Sequence, residues 1–160
     1  MIKLVYALLY HNASVYETHR SKIIELFEIL IHWFFEYSHH NIYHHLFYQL
    51  ISLIIGDKDE RIINSILVEN NLINRMIEVY IDKKGDYDNK GHILDIFNLL
   101  RLTSKCLDPK SSFNQHLTSN ELWSSFQSLL ITDTLIETHG LTLSDIDIGS
   151  ECKFSFLFKN

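Results

Sequence analysis

Histidine is the residue type with the widest chemical range in this chain, and four of its ten histidines cluster within residues 39–45. His40 and His44 are four positions apart, so on a helix both imidazoles share one face and could bind a metal ion. Glu36 is the candidate third ligand, because it lies one turn before His40. The alternative is structural, with His44 hydrogen-bonded in the core and His45 exposed. We expect the structural alternative, without a metal ion or other cofactor.

Two sequence patterns that mark common enzymes do not occur in this chain. It contains no Gly-x-Ser-x-Gly and no His-Glu-x-x-His motif. The carboxylates Asp57, Asp59 and Glu60 are close in sequence, but their positions are typical of a solvated helix start, where acidic side chains stabilise the helix dipole. Gly85 and Gly91 are isolated, so no glycine-rich loop is present to bind a phosphate. We therefore expect a protein without catalytic activity.

Charge and composition argue against two classes of partner. The net charge is −6, and a nucleic-acid binder needs a basic face to neutralise phosphates. The most apolar run, 23–35, is too short and carries too many charges to span a bilayer. Cys106 and Cys152 are far apart and form no metal-binding spacing, which indicates free thiols in a reducing compartment. The sequence therefore predicts a soluble cytoplasmic protein, with the nucleus as the alternative location.

The helix predicted over 42–55 is the element that the other segments must position or cover. Its apolar residues form two faces at helical spacing, which are Ile42, Leu46, Leu50 and Ile54 on one side and Tyr43, Phe47, Ile51 and Ile55 on the other. A helix that is apolar almost all round is buried by several neighbours. The one continuous polar stripe is His45, Gln49 and Ser52, and we expect it to remain free for a partner.

Helical periodicity continues through most of the chain. The further predicted helices cover 2–11, 14–36, 57–69, 72–81, 91–107 and a segment from Ser119 toward Gly140, giving about seven helices. Short connections between paired helices suit an armadillo- or HEAT-like solenoid, although the segments share no strict sequence period. We predict an all-α helical-repeat domain over 1–140. The tail 141–160 is predicted to be irregular or to form a short strand pair.

Several local features of these helices follow from residue type. Gly56 is predicted to end its helix with a positive φ, and Ser119 is predicted to cap the last helix. Residues 110–115 are predicted to form a loop. In the helix over 91–107, the core face is Ile93, Ile96, Phe97 and Leu100, and the polar face is Asp95, Asn98 and Arg101.

The aromatic stripe of residues 33–37 permits two interpretations. Its members are Trp33, Phe34, Phe35 and Tyr37. At helical spacing such a stripe is more often part of a core than an exposed binding ridge. We expect a core role, with either Trp33 or Phe35 facing away from the main core.

Four sparse motifs, in order along the chain, resemble those of the SAPS-domain family, the regulatory subunits of protein phosphatase 6 type enzymes. The first resembles FxYxxNNxLH, with His40 and Tyr43 at positions where the family has asparagine and leucine. It is carried by Phe35, Tyr37, Asn41 and His44. The second, Leu72–Glu78 with Arg75, resembles LxxRILEAW. The third resembles GHLTRIAN and is carried by Gly91, His92, Ile96 and Asn98. The fourth, similar to WxxFxxxxL, contains Trp123 and Phe126, with Leu130 shifted by one position.

The resemblance covers most of 23–135 and implies an armadillo-like scaffold that begins partway through the family's domain. It implies a non-catalytic regulatory subunit that binds a serine/threonine phosphatase catalytic subunit. The motif residues are expected to be structural: Asn41 as a helix cap, His44 bonded to a neighbouring loop, and Gly91 permitting a tight turn or a close helix approach. The expected partner surface is His45, Gln49, Ser52, Lys83, Lys84 and Tyr87.

Two further functions remain open on the sequence. A helical-repeat adaptor in another assembly, such as trafficking machinery, would share the same fold. A metal-binding protein built on His40 and His44 belongs to a different class.

Overall fold

A computed structural model describes the backbone of residues 13–57, 60–82 and 87–140, with side chains from residue 21 onward and excluding Asp57. All regular structure in these ranges is helical, which confirms the predicted all-α class. The α-helices are α1 (Ala13–Glu36), α2 (Asn41–Asp57), α3 (Glu60–Asn64), α4 (Leu72–Ile81), α5 (Lys90–Cys106), α6 (Ser112–Ser119) and α7 (Glu121–His139), and a π-helical turn covers Ser65–Glu69. The predicted helix 2–11 and the tail 141–160 lie outside the described residues. None of the described helices combines the length and apolar content needed to cross a membrane.

The chain divides into two compact units, Met1–Ser124 and Ser125–Asn160, and the division falls within α7. The predicted boundary after residue 140 and the solenoid character remain predictions.

Within the first unit, α2 contacts α1, α3 and α5. Its buried side chains are His44, Phe47, Leu50, Ile51, Ile54 and Ile55. Ile42 is an exception to the predicted buried face, because it lies in the first turn of α2 and is 66% exposed.

The corner between α1 and α2 differs in detail from the prediction. His40 caps α2, because its Nδ1 accepts a hydrogen bond from the Tyr43 amide at 3.3 Å. Asn41 is instead the first residue of α2, with an exposed side chain, so the prediction that Asn41 caps this helix is wrong. At the other end, α2 continues through Gly56, which has no positive φ. The predicted helix end at Gly56 is therefore also wrong.

The predicted interruption at Asn70 and Asn71 is confirmed, but the π-helical turn before it was not predicted. The Ser65 carbonyl accepts hydrogen bonds from both the backbone amide and the Nδ2 group of Asn70, each at 3.0 Å. Asn71 adopts a left-handed conformation with φ 51°, which asparagine tolerates better than most residues. This conformation ends one helical segment and allows α4 to begin at Leu72.

The segment after α5 contains a helix where a loop was predicted. Ser111 caps α6 by accepting from the Asn114 amide at 3.3 Å, and α6 buries only Phe113, Asn114 and Leu117. So short an apolar pattern carries little periodicity, which is why the prediction failed. The cap of α7 is Asn120, whose Oδ1 accepts from the Trp123 amide at 2.9 Å. Ser119, the predicted cap, is the last residue of α6.

Candidate functional site

The candidate site is the junction where α1, α2 and the start of α5 meet at the carbonyl of Phe34. This carbonyl is one of the last four of α1, which lack the amide partners available inside a helix. His44 Nε2 lies 3.0 Å from the Phe34 oxygen, and Asn89 Nδ2 donates to the same oxygen at 3.2 Å. Both side chains are completely buried. The end of α1 is therefore held by side chains from two other parts of the chain.

This geometry determines the tautomer of His44. A carbonyl oxygen can only accept, so Nε2 carries the hydrogen and donates it to Phe34. Nδ1 is then an unprotonated acceptor, and it is buried without a hydrogen-bond partner. Asn89 Oδ1, from the residue before α5, is a second buried acceptor without a partner. The junction thus contains two acceptors that could each receive a hydrogen bond.

His92 of α5 completes the junction by stacking on His44. The two rings are 5.6 Å apart between centroids and nearly parallel, with an interplanar angle of 22°. Burial lowers the pKa of His44, and the charges of nearby His92 and His40 lower it further, whereas the backbone groups of Phe34 and His40 oppose this shift. Burial also lowers the pKa of His92, with Asp95 opposing this shift and His45 adding to it. Both rings are therefore neutral at pH 7.

Residues of the other motifs also meet across helices. The Arg75 guanidinium of α4 lies 4.2 Å from the centre of the Phe35 ring of α1, a cation–π contact. The rings of Phe97 in α5 and Trp123 in α7 are 5.6 Å apart. Together with His44 and His92, the contact of Phe35 with Arg75 joins the first motif to the second and third. The fourth motif meets the segment of the third at Phe97, a position that departs from the family pattern.

Several motif residues lie outside these contacts. Tyr37 is exposed at the end of α1, and Phe126 is buried in the second unit. Gly91 is exposed, has no positive φ, and has open space where a side chain would lie. The prediction that Gly91 permits a tight turn or close helix approach is therefore wrong, because a larger residue would fit there.

Asn98 belongs to a polar face that the structure partly buries. Its Oδ1 accepts from Arg101 at 3.2 Å. Arg101, which the sequence places on the polar face of the helix, is buried, and burial lowers its pKa. Its Nε atom has no hydrogen-bond partner. The helical spacing placed Arg101 beside Asn98 correctly, but it carried no information on which neighbouring elements cover that face.

The predicted partner surface is only partly described. His45 is exposed, its Nε2 lies 3.1 Å from Gln49 Nε2, and Gln49 and Ser52 are half-buried. Tyr87 is also half-buried, whereas Lys83 and Lys84 lie outside the described residues. On this stripe of α2, His45 is thus available to a partner, whereas Gln49 and Ser52 are less accessible.

In the described ranges, His40 and His44 are not arranged as the metal site that was considered from the sequence. Nε2 of His44 is engaged by the Phe34 carbonyl, and Nδ1 of His40 by the Tyr43 amide. Among the described residues, no group of three or more His, Cys, Asp or Glu side chains is arranged to hold a metal ion.

Sequence reasoning missed two residues at this junction. Asn89 directly precedes the third motif, and its position before a predicted helix was the available signal. Asp88 lies 2.8 Å from His39 Nδ1 and links the same loop to the α1–α2 corner at the surface.

Comparison with family models, curated proteins and solved structures finds no match for this chain.

Proposed function

We propose that this chain is a non-catalytic scaffold that binds the catalytic subunit of a serine/threonine protein phosphatase and regulates it. The observation that supports this function is two contacts between motif residues, Phe35 with Arg75 and His44 with His92. The fourth motif meets the segment of the third through Trp123 and Phe97, although Phe97 itself departs from the family pattern. Short motifs that match a family by chance have no reason to contact one another in the fold. Their contacts favour a shared architecture, and the family resemblance links that architecture to phosphatase regulation.

The motif residues that contact one another across helices offer little surface to the phosphatase. His44 and Trp123 are buried, and their contacts lie within the chain. The partner therefore binds exposed residues that the motifs hold in place, and His45 with Gln49 on α2 is the part of the predicted surface that the structure describes best. In this role the protein acts in the cytoplasm or the nucleus.

A pull-down from native lysate tests the proposal. The bait is the full chain, with circular dichroism used first to show that it is folded. We expect mass spectrometry to recover a phosphatase catalytic subunit, and the double change His45→Ala with Gln49→Ala to reduce its yield. A matched change on α6, Gln115→Ala, is expected to leave the yield unchanged, because Gln115 is exposed and lies outside the motifs. A folded bait that recovers no phosphatase catalytic subunit would contradict the proposal.

An adaptor in another assembly is the second candidate. It is favoured by exposed apolar side chains outside the motif contacts, such as Ile29 on α1. The same mass spectrometry separates the two functions, because an adaptor would recover a different set of proteins.

A further inference from the structure

The exposed side of α1 carries a continuous apolar row. Ile29 and Trp33 of α1 and Tyr37, the residue after α1, are four positions apart. The Tyr37 amide still donates to the Trp33 carbonyl at 3.0 Å, so the three form one ridge along the helix axis, which we call the α1 ridge. Ile29 is 47% exposed, Tyr37 is 55% exposed, and Trp33 between them is half-buried. The predicted core role of this stripe therefore applies to Phe34, which is completely buried, and not to the ridge.

The aromatic members of the α1 ridge are held in place before any partner binds. The Trp33 ring packs edge-on against Tyr37 at 6.5 Å and against Tyr43 of α2 at 6.5 Å. Tyr43 is itself fixed, because its hydroxyl donates to the Leu30 carbonyl at 2.5 Å. Preordered tryptophan and tyrosine side chains lose little entropy on binding, and these residue types dominate the energetics of protein interfaces.

Acidic residues border the ridge. Glu28 and Glu36 lie on the adjacent row of α1, separated by His32, and all three are exposed. Glu25 extends the ridge by one turn toward the start of the helix and is also exposed. Within the described part of the chain, none of these three glutamates pairs with a lysine or arginine. The border therefore presents unpaired negative charge on one side of an apolar row.

We infer that the α1 ridge is a docking surface for an amphipathic helix of a partner protein, with an apolar row bordered by lysine or arginine. A row at a spacing of four packs into the groove between two rows of another helix. The ridge spans about 12 Å, or roughly two turns. The glutamates favour a basic border over an acidic one and add specificity. This inference does not depend on the proposed binding of a phosphatase, because the ridge is separate from the stripe at His45.

Two synthetic amphipathic peptides test this assignment on the full chain. Both carry leucines at i, i+3, i+4 and i+7, bordered by lysines in one peptide and by glutamates in the other. The chain has two tryptophans, Trp33 on the ridge and the buried Trp123. In two-dimensional NMR spectra, we expect the lysine peptide to shift the indole signal of Trp33 and to leave that of Trp123 in place. The glutamate peptide is expected to shift neither signal.

Matched variants separate docking on the ridge from non-specific attraction. Ile29→Ala is expected to raise the Kd of the lysine peptide about tenfold. Ile81→Ala on α4 is the control, because Ile81 has the same side chain and is 48% exposed. It is expected to leave the Kd unchanged. The double change Glu28→Lys with Glu36→Lys is expected to shift preference toward the glutamate peptide, and added salt is expected to weaken binding of the lysine peptide to the unmodified chain.

Three results would overturn the inference. Equal binding of both peptides would show that charge does not select the partner. Equal effects of Ile29→Ala and Ile81→Ala would show that the peptide does not use the ridge. Self-association in sedimentation experiments that Ile29→Ala abolishes would assign the ridge to a second copy of this chain.

Discussion

His44 and Asn89 donate hydrogen bonds to the same acceptor, the carbonyl oxygen of Phe34, at 3.0 and 3.2 Å. One donor comes from α2 and the other from the residue before α5, so the end of α1 is secured by both. Because all of these groups are buried, water cannot replace a donor that is lost. The junction therefore couples three elements through one backbone atom.

Replacing His44 tests the strength of this coupling. His44→Ala removes a buried ring, its stacking on His92 and one hydrogen bond, so we expect the free energy of unfolding to fall by about 2–4 kcal/mol. His45→Ala, at the exposed neighbouring position, is expected to change it by less than about 0.5 kcal/mol. Urea denaturation followed by circular dichroism measures both values. Equal effects would show that the junction does not stabilise the fold.

The histidine pair should make stability depend on pH. Burial lowers the pKa values of His44 and His92 in the folded chain. In the unfolded chain both histidines have the ordinary histidine pKa of about 6.5, so below that pH the unfolded chain binds more protons than the folded chain. Stability is therefore complete above that pH and is lost as the pH falls toward the two folded-state pKa values. The loss approaches about 1.4 kcal/mol per pH unit for each histidine as an upper limit.

Urea midpoints measured between pH 7.5 and pH 5 check this dependence. The carboxylate facing the pair is Asp95 of α5, and the other histidines near it are His40 and His45 of α2. His92→Gln removes one titrating group and is expected to make the dependence shallower. A midpoint that stays constant or rises on acidification would contradict the prediction.

Asn114 is expected to stabilise the end of α5. Its Nδ2 group donates to the carbonyls of Ser104, Leu107 and Asp108 at 3.1, 3.3 and 2.9 Å, and the side chain is buried. Asn114→Leu leaves these carbonyls without that donor and should lower the free energy of unfolding by about 2–3 kcal/mol. Thermal unfolding measures this change. The control is Gln115→Ala, which removes one exposed hydrogen bond to the Lys110 carbonyl and is expected to lower the free energy of unfolding by less than about 0.5 kcal/mol.

The cap of α7 can be assigned by comparing two adjacent residues. Asn120 accepts from the Trp123 amide and donates to Asn74 Oδ1 at 2.8 Å. Asn120→Ala is expected to destabilise the first unit by about 1–2 kcal/mol, through loss of the cap and of the link to α4. Ser119→Ala is expected to have little effect, since Ser119 only donates to the exposed His116 carbonyl. A larger effect at Ser119 would support the cap predicted from the sequence.

Periodicity predicted the long helices well because each buries a continuous apolar face. Leu72, Ile73, Met76 and Ile77 are buried in α4, and Ile93, Ile96, Phe97 and Leu100 are buried in α5. The interruption between the π-helical turn and α4 was also predictable, because two successive asparagines disfavour a continued helix. Short elements were not predictable, and α6 shows why: eight residues with two buried apolar side chains resemble a loop.

The sequence by itself determined the helical class, the extents of the long helices and their apolar faces, because side-chain spacing is a local property of the chain. The tertiary structure decided which residue caps each helix, as at His40 and Asn120, since several neighbouring polar residues could serve. It also decided that Arg101 is buried and that Ile29 and Tyr37 are exposed. Above all, it brought His44, Asn89 and His92 together, because contacts between distant segments depend on how the helices pack and not on any local pattern.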